Sequence, residues 1–299
     1  MKKISVSTGT LQNLFGEKGA ILKAKEAGAD GVDFNLWSEL YDINNKNSIY
    51  AKSNEELTKH FEDIKDYAKK IGMEIFTTHG NGTGYKNIKE DDELLIKNVF
   101  KDILATKALG AKICVLHTAG NYHLPPETPS EEMFRMNYEL FDKTLPFAKE
   151  NGIILATETF GSSSRYGCID FFGNDKNFLE GFMPVYEKYG DSFCVCVDTG
   201  HTNLTCAFGC PSVEDIIKSL NKHVKALHLH DNNGLKDQHK IPGTGDIIWQ
   251  NVLKTLDEIN YTGTYNLEVA PVHYGKDFAF EETLFSVKAL KQLLKISEV

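Results

Sequence analysis

The 299-residue sequence predicts a single (β/α)8 barrel, and three observations carry that prediction. Short, near-continuous apolar runs rich in β-branched residues recur along the chain, as expected of parallel strands buried on both faces. Between them lie longer stretches with apolar residues at i, i+3, i+4 and i+7, most of them closed by glycine just before the next run. No Pro/Ser-rich linker or composition shift divides the chain, so eight repeating units fit one domain spanning 1–299 better than two doubly wound domains.

The elements can be justified in order. Strand 1 is expected over 4–7, directly after Met1-Lys2-Lys3, and strand 2 over 31–34, after Ala27-Gly28 closes a helix. The amphipathic stretch 57–71 ends at Gly72 and leads into strand 3 (74–77); the stretch 94–109 ends at Gly110 and leads into strand 4 (111–116). A third, 133–149, ends at Asn151-Gly152 before strand 5 (153–157). Strand 6 (193–197) follows Tyr189-Gly190, strand 7 is expected over 224–229, and strand 8 (264–267) follows Thr262-Gly263.

Composition excludes several function classes. The chain is 41% hydrophobic and 25% charged, enough for a substantial core, and no apolar run approaches the ~20 residues that cross a bilayer. The start has no long apolar segment with a small-residue cleavage site, so a cytoplasmic protein without a membrane partner is expected. Cys114, Cys194 and Cys196 fall in strands and read as reduced core residues, because Cys194-Val195-Cys196 lacks the spacing of a zinc knuckle or redox motif. A net charge of -9, with only two Arg (Arg135 and Arg165), disfavours nucleic acid as a partner.

The chemistry lies at the strand ends. His79, His117, Glu158, Asp198, His230 and Glu268 each terminate a run, at intervals of roughly forty residues, or about one βα unit. In a barrel all strand ends open on one face, so six potential metal ligands converge there. Glu158, Asp198, His230 and Glu268, from four successive strands, form an oxygen-rich set suited to one divalent ion, Mn²⁺ before Mg²⁺, Co²⁺ or Zn²⁺. His228 and His230 alternate and face the same side of their strand; His230, nearer the end, is preferred, with His228 as a deeper histidine that packs or supports the ligands from behind. Tyr122, His123 and Pro125-Pro126 after strand 4, and Pro271, His273 and Tyr274 after strand 8, are expected to shape specificity. Gly80-Asn81-Gly82-Thr83-Gly84 reads as a lid rather than a phosphate loop, and Trp249 as a helix-start residue packed in the wall.

Taken with Asp198-Thr199-Gly200-His201, His228-Leu229-His230-Asp231-Asn232, Ile241-Pro242-Gly243-Thr244-Gly245-Asp246-Ile247 and Leu267-Glu268, these motifs resemble the xylose isomerase-like TIM-barrel superfamily over nearly the whole chain. That superfamily holds sugar and sugar-phosphate isomerases and epimerases, and endonuclease IV. Similarity to its ketose 3-epimerases implies that Glu158, Asp198, His230 and Glu268 bind one metal and that His201 contacts substrate. Glu158 and Glu268 would then remove and return a proton through an enediolate. His79 and His117 are expected to hold sugar hydroxyls. The Arg that those epimerases carry six residues after the metal-binding His is Lys236 here, which lacks a planar fork; Arg165 is a substitute, so the substrate is expected to differ. The resemblance also implies a homo-oligomer.

The competing resemblance is to endonuclease IV, whose three zinc ions are bound in chain order by residue types that match His79, His117, Glu158, Asp198, His201, His230, Asp237, His239 and Glu268. It makes Asp237 and His239 additional candidate ligands and implies phosphodiester hydrolysis. The acidic, Arg-poor composition and the seven-residue step from His230 to Asp237 weigh against it. Elimination chemistry on keto sugars and a non-catalytic carbohydrate-binding barrel complete the alternatives.

Overall fold

A computed structural model describes residues 2–81, 84–121, 123–163 and 165–297. Eight strands form one all-parallel sheet: Ile4–Ser7 (β1), Gly31–Asn35 (β2), Glu74–His79 (β3), Ile113–Leu116 (β4), Ile154–Glu158 (β5), Phe193–Asp198 (β6), Val224–His228 (β7) and Tyr265–Leu267 (β8). Their order is β8-β1-β2-β3-β4-β5-β6-β7. Closure comes from the residue beyond β7: Leu229 bridges to Leu267, its N–H donates to Asn266 O at 2.8 Å, and Glu268 N–H donates to Leu229 O at 3.1 Å. The (β/α)8 barrel expected from the sequence is therefore present.

Around it pack Gly9–Glu26 (α1), Asn54–Lys70 (α2), Lys89–Leu109 (α3), Ser130–Glu150 (α4), Asp175–Tyr189 (α5), Thr199–Cys206 (α6), Val213–Leu220 (α7), Trp249–Glu258 (α8) and Ala279–Ser297 (α9). One helix per unit is the expectation; after β6 there are two, because Gly209 (φ 82°) and Pro211 interrupt the helical run. Gly28, Gly72, Gly110 and Gly152 all have positive φ, as αβ junctions require. Before β8 the left-handed residue is instead Asn260 (φ 55°), and Gly263 is needed for space: a Cβ there would meet Tyr261 Oη at 2.3 Å. Among the described residues no helix is long and apolar enough to cross a membrane.

The main core lies between sheet and helices, with Phe34, Phe61, Phe141 and Trp249 fully buried. Inside the barrel, Val115, Ala156, Cys194, Cys196 and Ala226 form a separate cluster of small side chains. Cys114, Cys194 and Cys196 are buried free thiols, as expected. Trp249 begins α8 and donates Nε1–H to Asp231 Oδ2 at 2.9 Å.

Asp102 of α3 anchors the chain leaving β3. Its Oδ2 accepts from Asn81 N–H (2.9 Å), and its Oδ1 accepts from Tyr50 Oη–H (2.6 Å). Burial pushes its carboxyl up to about 7 despite those two donors. The folded chain thus holds this proton where the unfolded chain has released it. The stability it contributes is complete below about pH 4 and lost as pH rises through about 7, a change on the order of a few kcal/mol. Asp102→Asn is expected to flatten that fall; chemical denaturation of both chains at pH 4.5, 6 and 7.5 checks it.

Candidate active site

The carboxyl ends of β3 to β8 deliver the site, each strand fixing its own residue. Glu158, the last residue of β5, is fully buried and lies at the centre of a ring of imidazoles. Its Oε2 lies 3.2 Å from His79 Nε2 and 3.3 Å from His117 Nε2; its Oε1 lies 3.1 Å from His228 Nδ1 and 3.5 Å from His201 Nδ1. Burial alone would raise this carboxyl, but the imidazoles of His228 and His117 hold it well below the usual carboxylate range. Glu268, just beyond β8, reaches the same His228 Nδ1 with Oε2 at 3.2 Å. Burial acts on it in the same way, but the imidazoles of His228 and His239 together hold it below the usual carboxylate range.

Asp198 ends β6 and caps α6, accepting His201 N–H at 2.6 Å. Its carboxylate also meets His230 Nε2 at 3.0 and 3.1 Å. His230 is fixed by its backbone: Thr199 Oγ1 accepts from His230 N–H (3.1 Å) and donates to His230 O (2.8 Å). Its ring stacks on His239, with centroids 3.9 Å apart. Asp237 Oδ2 lies 3.2 Å from His239 Nε2 and 3.4 Å from His201 Nε2. Burial lowers His239, yet Asp237 beside it raises it to about 9.

Two four-residue groups bring their donor atoms within 4.8 Å of one another: Glu158, Asp198, His228 and Glu268, and His201, His230, Asp237 and His239. The set expected from the sequence is thus divided. Its three carboxylates come together, but the imidazole grouped with them is His228, while His230 touches Asp198 and joins the second group. Of the two roles expected of His228, its contacts with both glutamates fit support of the ligands rather than packing alone. The donor set fits a divalent cation: three carboxylates and one imidazole bring ligand atoms within 4.8 Å of one another.

Above the cluster opens a cavity of about 1180 Å³, reached by His79, His117, Glu158, His201, Asp237, His239 and Glu268. Lys236 and Arg165 also line it, the Arg165 guanidinium lying over its neighbour Tyr166. His123 lines it too, whereas Tyr122, Gly82 and Thr83 lie outside the described residues. Among the residues lining the cavity, none comes from 271–274: His273 is bound by Glu282 and Gln238, and Tyr274 projects outward with 77% exposure.

Sequence reasoning missed three residues here. Asp33 of β2 is buried, accepts from Thr77 Oγ1 at 2.6 Å and lies 3.8 Å from His228 Nε2; a carboxylate inside the apolar run Gly31-Val32-Asp33-Phe34 was its signal. Trp37 lines the cavity, with its ring 6.0 Å from that of His79 and edge-on to His117 at 5.2 Å. Phe160 is seated between His117 (5.1 Å) and His201 (5.7 Å). Neither aromatic carries a sequence signal beyond its place just after a strand.

The profile of the xylose isomerase-like TIM-barrel family matches residues 21–289. The chain belongs to that family. Among solved structures, this xylose isomerase-like barrel superposes on a D-tagatose 3-epimerase-like protein with a TM-score of 0.76 and 19% identity, covering 99% of this chain and 98% of that one. It superposes on the IolI protein with a bound zinc atom with a TM-score of 0.74 and 16% identity, covering 99% of both chains. At these identities the likeness is one of fold. An uncharacterised protein of Sinorhizobium fredii, y4fM, is 27% identical over 169 residues, which are 56% of this chain and 50% of that protein. The match thus spans half the length of that relative.

Proposed function

We propose that this xylose isomerase-like barrel is a divalent-metal-dependent sugar isomerase or epimerase acting through an enediolate. The observation that carries the reading is the pairing of Glu158 and Glu268 across His228 Nδ1 at the floor of the cavity. Likeness to a D-tagatose 3-epimerase-like protein supports a keto sugar as substrate, and the zinc atom in IolI supports a metal. Glu158, Asp198, Glu268 and the imidazole of His230 would hold the ion, which when bound acidifies the proton on carbon beside a carbonyl. One glutamate takes that proton onto a carboxylate oxygen, and the other returns one. Return to the opposite face of the same carbon inverts it; return to the neighbouring carbon exchanges aldose and ketose. The imidazoles keep both carboxyls ionised at rest, as a base must be, and the glutamate that returns a proton first takes one from solvent. His201 and Lys236 bind sugar oxygens, and Phe160 and Trp37 exclude water from the reacting carbon.

His230 is preferred as ligand over His228 because it lies nearer the mouth and already touches Asp198. His228 is held lower, beside Cys196, between the two glutamates. Elemental analysis of the purified chain is expected to give about one ion. His230→Asn should abolish retention, and His228→Asn should keep the ion while slowing turnover. The functional test is incorporation of deuterium from solvent into ketoses and aldoses, followed by NMR with Mn²⁺- or Zn²⁺-loaded protein.

A second reading, a trinuclear zinc phosphodiesterase like endonuclease IV, is favoured by the group His201, His230, Asp237 and His239, and by the contact of both His79 and His117 with Glu158 Oε2. Close to three zinc ions per chain, with cleavage of DNA at abasic sites, would replace the first reading with this one.

A further inference from the structure

The barrel has a second opening, at the amino ends of its strands, on the face opposite the glutamates. Ile113, Ile154 and Cys194 stand near the starts of β4, β5 and β6, where the two isoleucines pack against the inner cluster of small side chains to which Cys194 belongs. Bulky branched residues dominate the interior of most such barrels. Here alanine and cysteine hold three-strand-wide stretches of that layer, at Ala156, Cys194, Cys196 and Ala226, and at its foot lies a cavity of about 420 Å³ lined by Ile113, Ile154 and Cys194. This lower cavity shares no lining residue with the one over Glu158 and Glu268.

Its rim is basic. β7 carries an extra residue there: Val224 pairs with Val195 and Ala226 with Cys196, so Lys225 between them has no partner across the ladder. A bulge of this kind re-aims its side chain, and Lys225 joins the lining of the cavity. Its charge is felt inside. Burial pushes the Cys194 thiol up and the Lys225 ammonium acts against that rise, while burial lowers His223 and both Lys222 and Lys225 lower it further. Asp191, the carboxylate in the lining, accepts from Tyr186 Oη–H at 3.3 Å. Among the described residues neither Lys222 nor Lys225 has an ion pair; Lys222 Nζ lies over the Tyr186 ring, 5.8 Å from its centroid.

An aliphatic floor under a cationic rim is complementary to a molecule with one anionic end and one apolar end. We propose that the lower cavity binds a medium-chain aliphatic carboxylate, its carboxylate held by Lys222 and Lys225 and its chain laid against Ile113, Ile154 and Cys194. An amine would meet the two ammonium groups with like charge. A sugar would set its hydroxyls against the isoleucines without partners, at a cost for each. The aromatic face on the rim is already taken, since His223 meets Tyr186 edge-on at 4.3 Å and Lys222 lies over the same ring. The site is independent of the reaction proposed at the other end of the barrel.

The test uses the whole chain and three probes, octanoate, butyrate and octylamine. Calorimetry is expected to give one octanoate per chain, with a Kd at least about tenfold below that of butyrate because four more methylenes leave water. Octylamine should not saturate. Lys222→Glu and Lys225→Glu change exposed positions, so the fold should survive, and each should weaken octanoate binding about tenfold. NMR of the isoleucine and leucine methyls locates the ligand: Ile113 and Ile154 should shift with octanoate, while Leu204 and Leu235, which line the upper cavity, should not. Shifts at Leu204 and Leu235 alone would place the carboxylate in the upper cavity and overturn the proposal. Equal affinity for octanoate and octylamine, binding unchanged in both lysine variants, or no saturation by millimolar octanoate would overturn it as well.

Discussion

Glu158→Gln and Glu268→Gln are each expected to lower kcat for solvent hydrogen exchange by about 10²–10⁴-fold, the range associated with a positioned acid or base, with smaller changes in KM. The amide keeps the shape and one acceptor but cannot carry a proton between carbon and solvent. The two replacements should differ in their side effects. Glu158 meets four imidazoles, from His79, His117, His201 and His228, so its replacement also disturbs their arrangement, whereas Glu268 touches His228 from the barrel's edge. Metal content measured beside kinetics separates chemistry from collapse: retained metal with lost turnover supports proton transfer, and equal loss of both points to a dismantled site.

Gly200→Ala is the second large expected effect. A Cβ at this position would stand 1.9 Å from His230 Cε1 and 2.3 Å from its Nδ1, distances no real side chain adopts. The His230 ring has little room to give way: it is fully buried, stacked on His239, and its backbone is bonded in both directions by Thr199. Overpacking of this kind costs about 1–3 kcal/mol, occasionally more. The added strain lands on the side chain proposed to hold the metal. Thermal unfolding should show the lowered stability, and elemental analysis the lost ion. A chain with unchanged stability and unchanged metal content would mean that His230 has another place to go.

These expectations show which parts of the protein can be read from its amino acids. The strands are legible because burial on both faces leaves continuous apolar runs, and Glu158, Asp198 and His79 are legible because each ends such a run. The choice between His228 and His230 is not. Alternation puts both inside the barrel, and only the layer each occupies, set by neighbours on β5, β6 and β8, decides which carboxylates it meets. Asp33 shows in the sequence only as a carboxylate inside an apolar run, and its partners Thr77 and His228 lie on other strands. Trp37 and Phe160 depend on how loops fold back over the strand ends, where no period governs the side chains. The split after β6 has a visible cause in Pro211.

The seam that closes the barrel sets the two glutamates on walls of unequal stiffness. Glu158 ends a strand paired on both sides, by β4 and β6. Glu268 follows a three-residue strand whose tie to the β7 side is an isolated bridge, and its own N–H supplies one of the two hydrogen bonds there. One carboxylate therefore stands on a strand laddered on both sides, and the other beside a single bridge. On the proposed reaction, a single stereocentre is approached from two faces within one turnover, and the more weakly tied of the two walls is the last strand to join the sheet. Amide hydrogen exchange should find Leu229 and Glu268 opening well before the amides of β5.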